Sequence, residues 1–451
     1  MAFDNRDKID FGKNDIPQLF RSLFIPTLLG MLFNVAFMLT DGIFVGHGVG
    51  ANGLACVNLV APIMMVVTGF GMMFGIGSSV VGAIHLSQNN EKAARINVTQ
   101  AYVACVVFAV LMGVGLYCFA DSILHFLGVS HNLMAMAKNY YVWFIPTCLF
   151  LMFQIVGEFV IRLDGSPRYA MYANIIPAIV NIIFDYVFIF PCGWGLMGAA
   201  LATDIGTGVG ALMTLYYMLF RSEKLRFYRL KHTWVSIRLT LRNIGYMMRL
   251  GFSAFVGEFA ISVMMLTGNL VFGHYLGDAG IAAYSVICYL FPVVFMIYNA
   301  AAQSAQPIIS FNYGAHATDR ATHTFRHSTI VSMVFGAVVT AIFCLFPNTI
   351  IGVFLDNTSE AYTLASAGLP LFSLGFVIVA FNISTIGYLQ SVERATLATL
   401  LMALRGIIIL VVAFVLLPKL LDVPGLWLAA PLSELLTAIV GIIIIKGLSR
   451  E

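Results

Sequence analysis

The sequence predicts an all-α integral membrane protein with twelve transmembrane helices in two six-helix lobes, related by a pseudo-two-fold axis along the membrane normal. Three observations carry this expectation. Composition is the first: of 451 residues, 60% are hydrophobic and 10% charged, with a mean hydropathy of +0.92, whereas soluble domains carry about 25% charged residues. The second is the one-sided placement of Lys and Arg along the chain. The third is an internal repeat that divides the chain in two.

Apolar runs separated by short polar turns give the elements in order. The first six spans are 19–45, 54–81, 98–119, 136–160, 169–190 and 196–220; the second six are 244–272, 281–311, 328–346, 362–389, 395–417 and 426–445. Each approaches or exceeds the ~20 residues that cross a hydrocarbon core. The N-terminal residues are polar and lead straight into span 1, so no cleavable signal peptide is expected.

Orientation follows from the rule that basic loops stay in the cytoplasm. Arg6, Lys8, Lys13 and Arg21 precede or open span 1, and Lys92, Arg95, Arg162, Arg168, Arg320, Arg326, Arg394, Lys446 and Arg450 lie on the same face. The loop after span 6 adds eight more, from Arg221 to Arg249, which leaves Lys138 and Lys419 outside and Arg405 within a span. Both termini are therefore expected in the cytoplasm. The net charge of +3 reflects this topology and gives no reason to invoke nucleic acid. Between the halves, 221–244 interleaves basic residues with Leu, Phe, Tyr and Trp, the pattern of an amphipathic linker at the cytoplasmic surface. The expected domains are 1–220, the linker 221–244, and 245–451.

The repeat is read directly. MLTDGIFVGHGVGANGLA from Met38 aligns with MLTGNLVFGHYLGDAGIA from Met265, and GLMGAALATD from Gly195 aligns with GLWLAAPLSE from Gly425. An acidic residue thus recurs on spans 6 and 12, as Asp204 and Glu434. Six spans is an even number, so the halves share one orientation, the parallel class of transporter repeat.

Carboxylates inside apolar runs are the candidate functional residues, because an intramembrane charge is costly and marks ion or substrate pathways. Asp41 lies five residues before Gly46, and Asp185 six before Pro191, so both sit roughly 8 to 9 Å from the outer ends of spans 1 and 5. Asn181 precedes Asp185 by four and shares its helix face, while Thr203 lies eight residues into span 6. All four groups can converge in one half of the N-lobe. Burial disfavours the charged form of an acid, and a second acid nearby disfavours it further. Such a pair exchanges protons near neutral pH, and its oxygens, with an Asn carbonyl and a Thr hydroxyl, also suit a hard cation.

The chain resembles the multidrug and toxic compound extrusion (MATE) family. The resemblance rests on its twelve spans in two halves, the span 1 segment TDGIFVGHGVGANGLA and the span 8 ending AAAQSAQPIISFNYGA (300–315). It implies a secondary antiporter, not an enzyme, that exports organic, often cationic, compounds or other amphipathic drugs in exchange for H⁺ or Na⁺. No cofactor is implied. A multi-pass protein of the inner membrane, functional as a monomer, is expected. The DinF-like branch carries its ion-coupling site on an Asp of span 1, an Asn and Asp of span 5 and a Thr of span 6, which fall here on Asp41, Asn181, Asp185 and Thr203. The same four are the candidate Na⁺ ligands.

The sequence departs from the NorM-like pattern, since Glu258 stands about one turn early on span 7 and span 10 has no acid. A Tyr often found one turn before the span 1 Asp is Phe37 here, and Tyr140 or Tyr141 can supply the phenol instead. Asp204 is a secondary candidate. Arg405 requires a counter-charge, for which Glu258 and Glu434 are the alternatives. Glu158 and Arg162, spaced i, i+4 at the end of span 4, read as a solvated ion pair. Pro26, Pro62, Pro146, Pro177, Pro292 and Pro370 are expected to mark bends, and Pro26 is the expected bending point of span 1. A lipid-linked saccharide flippase is the main rival reading, and a membrane-embedded enzyme or a channel is disfavoured for want of catalytic loops or a filter sequence.

Overall fold

The computed structural model describes residues 9–127, 129, 131–231 and 233–448, without the side chains of 51 and 54. Of the basic residues that set the topology, Arg6, Lys8 and Arg450 lie outside the described residues. Every regular element among the described residues is helical. Six spans come first, as α1 (Ile16–Gly48), α2 (Ala51–Ser87), α3 (Glu91–Cys118), α5 (Met134–Leu163), α6 (Pro167–Ile189) and α7 (Gly195–Tyr216), with the short α4 (Ala120–Phe126) after α3. A π-helical turn, Tyr217–Arg221, closes α7.

Two later helices each carry two spans. α8 (Trp234–Gly314) turns at Gly277, and α14 (Ile409–Leu448) turns at Asp422. Between them lie α9 (Thr318–Leu345), α10 (Pro347–Ile351), α11 (Glu360–Ser373), α12 (Phe376–Ser391) and α13 (Ala395–Ala403), the last joined to α14 by a π-helical turn at Leu404–Ile408. Twelve crossings result. Span 10 is bent near the proline expected to bend it: α11 and α12 meet at 46°, with Pro370 in the last turn of α11 and Gly375 at the corner.

Local chemistry accounts for the helix ends. Asn90 caps α3 by accepting from Ala93 N at 3.1 Å, Ser359 caps α11 by accepting from Tyr362 N at 3.1 Å, and proline opens α6. These side chains satisfy backbone donors that a helix start leaves orphaned. The repeat is visible in the backbone. Gly50 and Gly277, aligned in the two halves, have φ of 92° and 60°, a region open to glycine and closed to most residues.

The chain forms two compact units, Met1–Phe255 with Ser310–Ala317, and Val256–Ile309 with Thr318–Glu451. In the first, α5 packs against α2 and α7, and α6 against α1 and α7. Glycines set the closest approaches: a Cβ on Gly206 of α7 would stand 2.9 Å from Asn181 Cβ and 3.0 Å from the Pro177 carbonyl oxygen of α6. Small residues of this kind let membrane helices touch along their backbones. Residues 222–231 and 233 are not helical. Asp164, at the end of α5, accepts from the backbone N–H groups of Glu223, Lys224 and Leu225 at 3.1 to 3.2 Å. In the second unit Phe272 stacks on Tyr284 at 4.6 Å and meets Trp427 edge-on at 4.7 Å, all three buried.

Candidate functional site

The candidate site is built on α1, α5, α6 and α7 of the first unit. α1 continues as helix through Pro26 and carries Asp41 seven residues before its end. α6 carries Asn181 and Asp185 one turn apart on one face. Asp41 and Asp185 lie within hydrogen-bonding reach of each other. Asp185 is fully buried, and neither of its oxygens, nor Asp41 Oδ1, receives a hydrogen bond from any other group. Two facing carboxylates have no proton to share, whereas one proton makes either acid a donor to the other. The pair can hold one proton between its oxygens.

Asn181 and Thr203 form the second part of the site. Asn181 Nδ2 donates to Thr203 Oγ1 at 3.3 Å, and Thr203 Oγ1 donates to the Ala199 carbonyl at 3.0 Å. With its amide nitrogen so engaged, Asn181 leaves Oδ1 buried and without a donor. Asp41, Asp185 and Asn181 thus present acceptor oxygens together, a donor set that suits a proton, a hard cation or an ammonium group.

Tyr140 of α5 lies within electrostatic range of Asp41, Asp185 and Asp204 and is 6% exposed. Its neighbour Tyr141 turns away and donates to the Leu116 carbonyl at 2.9 Å, so only Tyr140 of the two alternatives faces the acids. Asp204 accepts a hydrogen bond from Thr147 Oγ1 of α5, which ties it to that helix and away from Asn181.

One expectation is corrected. Arg162 is 4% exposed, stacks over the Phe159 ring at 4.5 Å and donates to Thr27 Oγ1 of α1 at 3.4 Å. Its partner Glu158 accepts from Gln154 Nε2 at 3.2 Å and is hydrogen bonded to Asn174 of α6. Arg162 is therefore interior, because α1 covers the face of α5 on which it lies, while Glu158 is half-buried beside it.

In the second unit Arg405 takes Glu434, not Glu258, as its counter-charge. Arg405 Nε reaches both Glu434 oxygens at 3.0 and 3.1 Å, and Nη2 reaches Oε1 at 2.5 Å. Asn382 Nδ2 donates to Glu434 Oε2 at 2.7 Å, and the Arg405 guanidinium stands 5.4 Å from the Phe295 ring centroid. The pair borders a small pocket whose lining is otherwise apolar, with Phe291, Phe295, Phe372 and Phe376 the largest side chains around it. Glu258 is half-buried on α8 and is not brought into this cluster.

Sequence reasoning passed over a second set of polar residues. Thr27, Asn34 and Asp41 repeat every seven residues on α1, and Asn174 and Asn181 do so on α6. Asn34 Nδ2 donates to Asn174 Oδ1 at 2.9 Å across that interface. The regular spacing of Thr, Asn and Asp along span 1 was the available signal.

Comparison with known proteins agrees with this architecture. The family model MatE matches residues 26–187 and 253–418, once in each half. The multidrug export protein MepA of Staphylococcus saprophyticus is 23% identical over 442 residues, covering 96% of this chain and 94% of that protein. MepA of Staphylococcus aureus is 23% identical over 446 residues with the same coverage. Among solved structures, a mutant of the Vibrio cholerae MATE transporter VcmN superposes with a TM-score of 0.89 at 19% identity, covering 97% of this chain and 98% of that one. A MOP superfamily transporter from Pyrococcus furiosus superposes with a TM-score of 0.88 at 20% identity, covering 96% of each chain. A twelve-helix, two-lobed membrane protein with a MatE match over both halves belongs to the MatE family of multidrug and toxic compound extrusion transporters.

Proposed function

We propose that this protein is a multidrug efflux antiporter that exports organic, often cationic, compounds in exchange for inward H⁺ or Na⁺ by alternating access. Asp41, Asn181, Asp185 and Thr203 form its coupling site, with Tyr140 and Asp204 beside it, as in the DinF-like branch. It works as a monomer in the inner membrane with both termini cytoplasmic. Residues 1–220 act as one lobe and 245–451 as the other, joined by 221–244, and Pro26 is the point at which span 1 bends. In the second lobe Arg405 and Glu434 act as a fixed pair.

One observation carries the reading. The buried Asp185 and the half-buried Asp41 face each other with three oxygens that no other group donates to, an arrangement that is costly unless a proton or cation visits it. The MepA relatives, named multidrug export proteins, supply the substrate class. The test is export of a fluorescent organic cation from proteoliposomes under a pH or Na⁺ gradient. Asp41→Asn and Asp185→Asn each abolish gradient-driven export on this reading, and export at the parent rate overturns it. The flippase reading finds no support in the interior basic residues, since Arg405 is neutralised by Glu434 and Arg162 lies beside Glu158.

A further inference from the structure

We propose that Glu158 is a second proton-binding site of the first unit, which receives the proton released by the Asp41–Asp185 pair and passes it toward the cytoplasm. This deepens the preceding reading and rests on that pair being the coupling site.

The argument begins with register. Thr27, Asn34 and Asp41 lie on one face of α1, and Asn174, Asn181 and Asp185 on one face of α6, because seven residues make nearly two turns. The helices run in the same direction and pack together, so these residues form layers, about 10 Å apart along α1 and about 16 Å apart along α6. The first layer is the acid pair. The second is the Asn34–Asn174 hydrogen bond of 2.9 Å. Asn174 then bonds the Glu158 carboxylate, which also accepts from Gln154 Nε2 at 3.2 Å. Glu158 stands five residues from the end of α5, roughly 8 Å along the axis, so the file ends within reach of water on that side.

Two features fit passage and not mere packing. Asn34 is exposed although it sits midway along an apolar span, and an amide at that depth is matched by water, not by lipid. Gln154 is buried, yet its Oε1 has no donor, which adds an unmet acceptor at the Glu158 end. Amide side chains do not carry a proton; they orient water between the two acids, each of which takes the proton on an oxygen and releases it unchanged.

The surroundings of Glu158 suit repeated protonation. Arg162 faces it from its own helix, Asn174 from α6 and Tyr102 from α3. The cation balances the carboxylate, and Arg162 keeps a hydroxyl partner in Thr27 and the Phe159 ring when Glu158 is neutral. No second carboxylate faces it among the interactions that these side chains make.

The test compares two modes of transport in proteoliposomes holding the full chain, with ethidium as the probe. Ethidium–ethidium counterflow without a gradient needs alternating access but no net proton movement, while pH-gradient-driven export needs both. Glu158→Gln and, separately, Asn34→Leu are expected to lower gradient-driven export about tenfold or more, with counterflow and ethidium affinity unchanged and with Glu158→Asp restoring export. Gradient-driven export at the parent rate in both variants, or loss of counterflow in step with export, overturns the proposal. Asp41→Asn is run in parallel: if it too leaves gradient-driven export intact, the coupling site itself is wrong, whereas its loss beside an active Glu158→Gln refutes this inference alone.

Discussion

Arg405 and Glu434 make a buried, doubly hydrogen-bonded ion pair in which Nη2 stands 2.5 Å from Oε1 and Nε lies within 3.1 Å of both oxygens. Asn382 completes the acceptor valence of the carboxylate, and Ser433 Oγ donates to the Arg405 carbonyl at 2.7 Å. The pair ties the π-helical turn at Leu404–Ile408 to α14 and α12. Removing one partner strands the other charge, so Arg405→Met alone is expected to destabilise the protein by about 3–5 kcal/mol. Arg405→Met with Glu434→Gln recovers most of that loss, since no ion is left unpaired. Thermal unfolding of the detergent-purified variants reads both, and additive losses in the double variant contradict the pairing.

The contact of α7 with α6 is set by Gly206. Its Cβ position lies 2.9 Å from Asn181 Cβ and 3.0 Å from a backbone oxygen, neither of which yields cheaply. Gly206→Ala is expected to cost about 1–3 kcal/mol and to weaken export by displacing Asn181 from the acids. Gly245→Ala, with open space at its Cβ, is the control and stabilises its helix by up to about 1 kcal/mol. Equal melting shifts in the two variants contradict this account.

Pro26 lies inside α1, is buried, and cannot donate to the carbonyl of Ser22. Pro26→Ala restores that bond and stiffens the helix, with a gain of up to about 3 kcal/mol. If the bend is part of the cycle, the more stable variant turns over more slowly, while its binding of ethidium is kept. Faster or unchanged turnover removes Pro26 from the mechanism.

The acid pair also predicts proton release. When an organic cation replaces the proton shared by Asp41 and Asp185, protons appear in weakly buffered solution and register on a pH indicator. The signal is lost in the Asp41→Asn, Asp185→Asn double variant. A signal of parent size in that variant places the released proton elsewhere.

Much of this was legible in the sequence because membrane burial is a severe filter. An uninterrupted apolar run announces a span, and a carboxylate within one is too costly to be incidental, so Asp41 and Asp185 stood out. The bend in span 10 was legible through Pro370, but its corner at Gly375 was not, since the run stays apolar throughout. Arg162 was misplaced because nearness to a span's end was equated with water, and only packing reveals that Thr27 of α1 covers it. Asn34, Asn174 and Gln154 were missed for a different reason: an uncharged amide raises little alarm in a hydropathy profile, and its meaning depends on a partner 140 residues away. The choice of Glu434 over Glu258 for Arg405 likewise needed the three-dimensional arrangement.

The most direct measurement is export of ethidium from proteoliposomes under separately imposed pH and Na⁺ gradients, for the parent and for Asp41→Asn. The account predicts that one of the two gradients drives export by the parent and that Asp41→Asn abolishes it. Equal gradient-driven export by the two proteins contradicts the assignment of the Asp41–Asp185 pair as the coupling site.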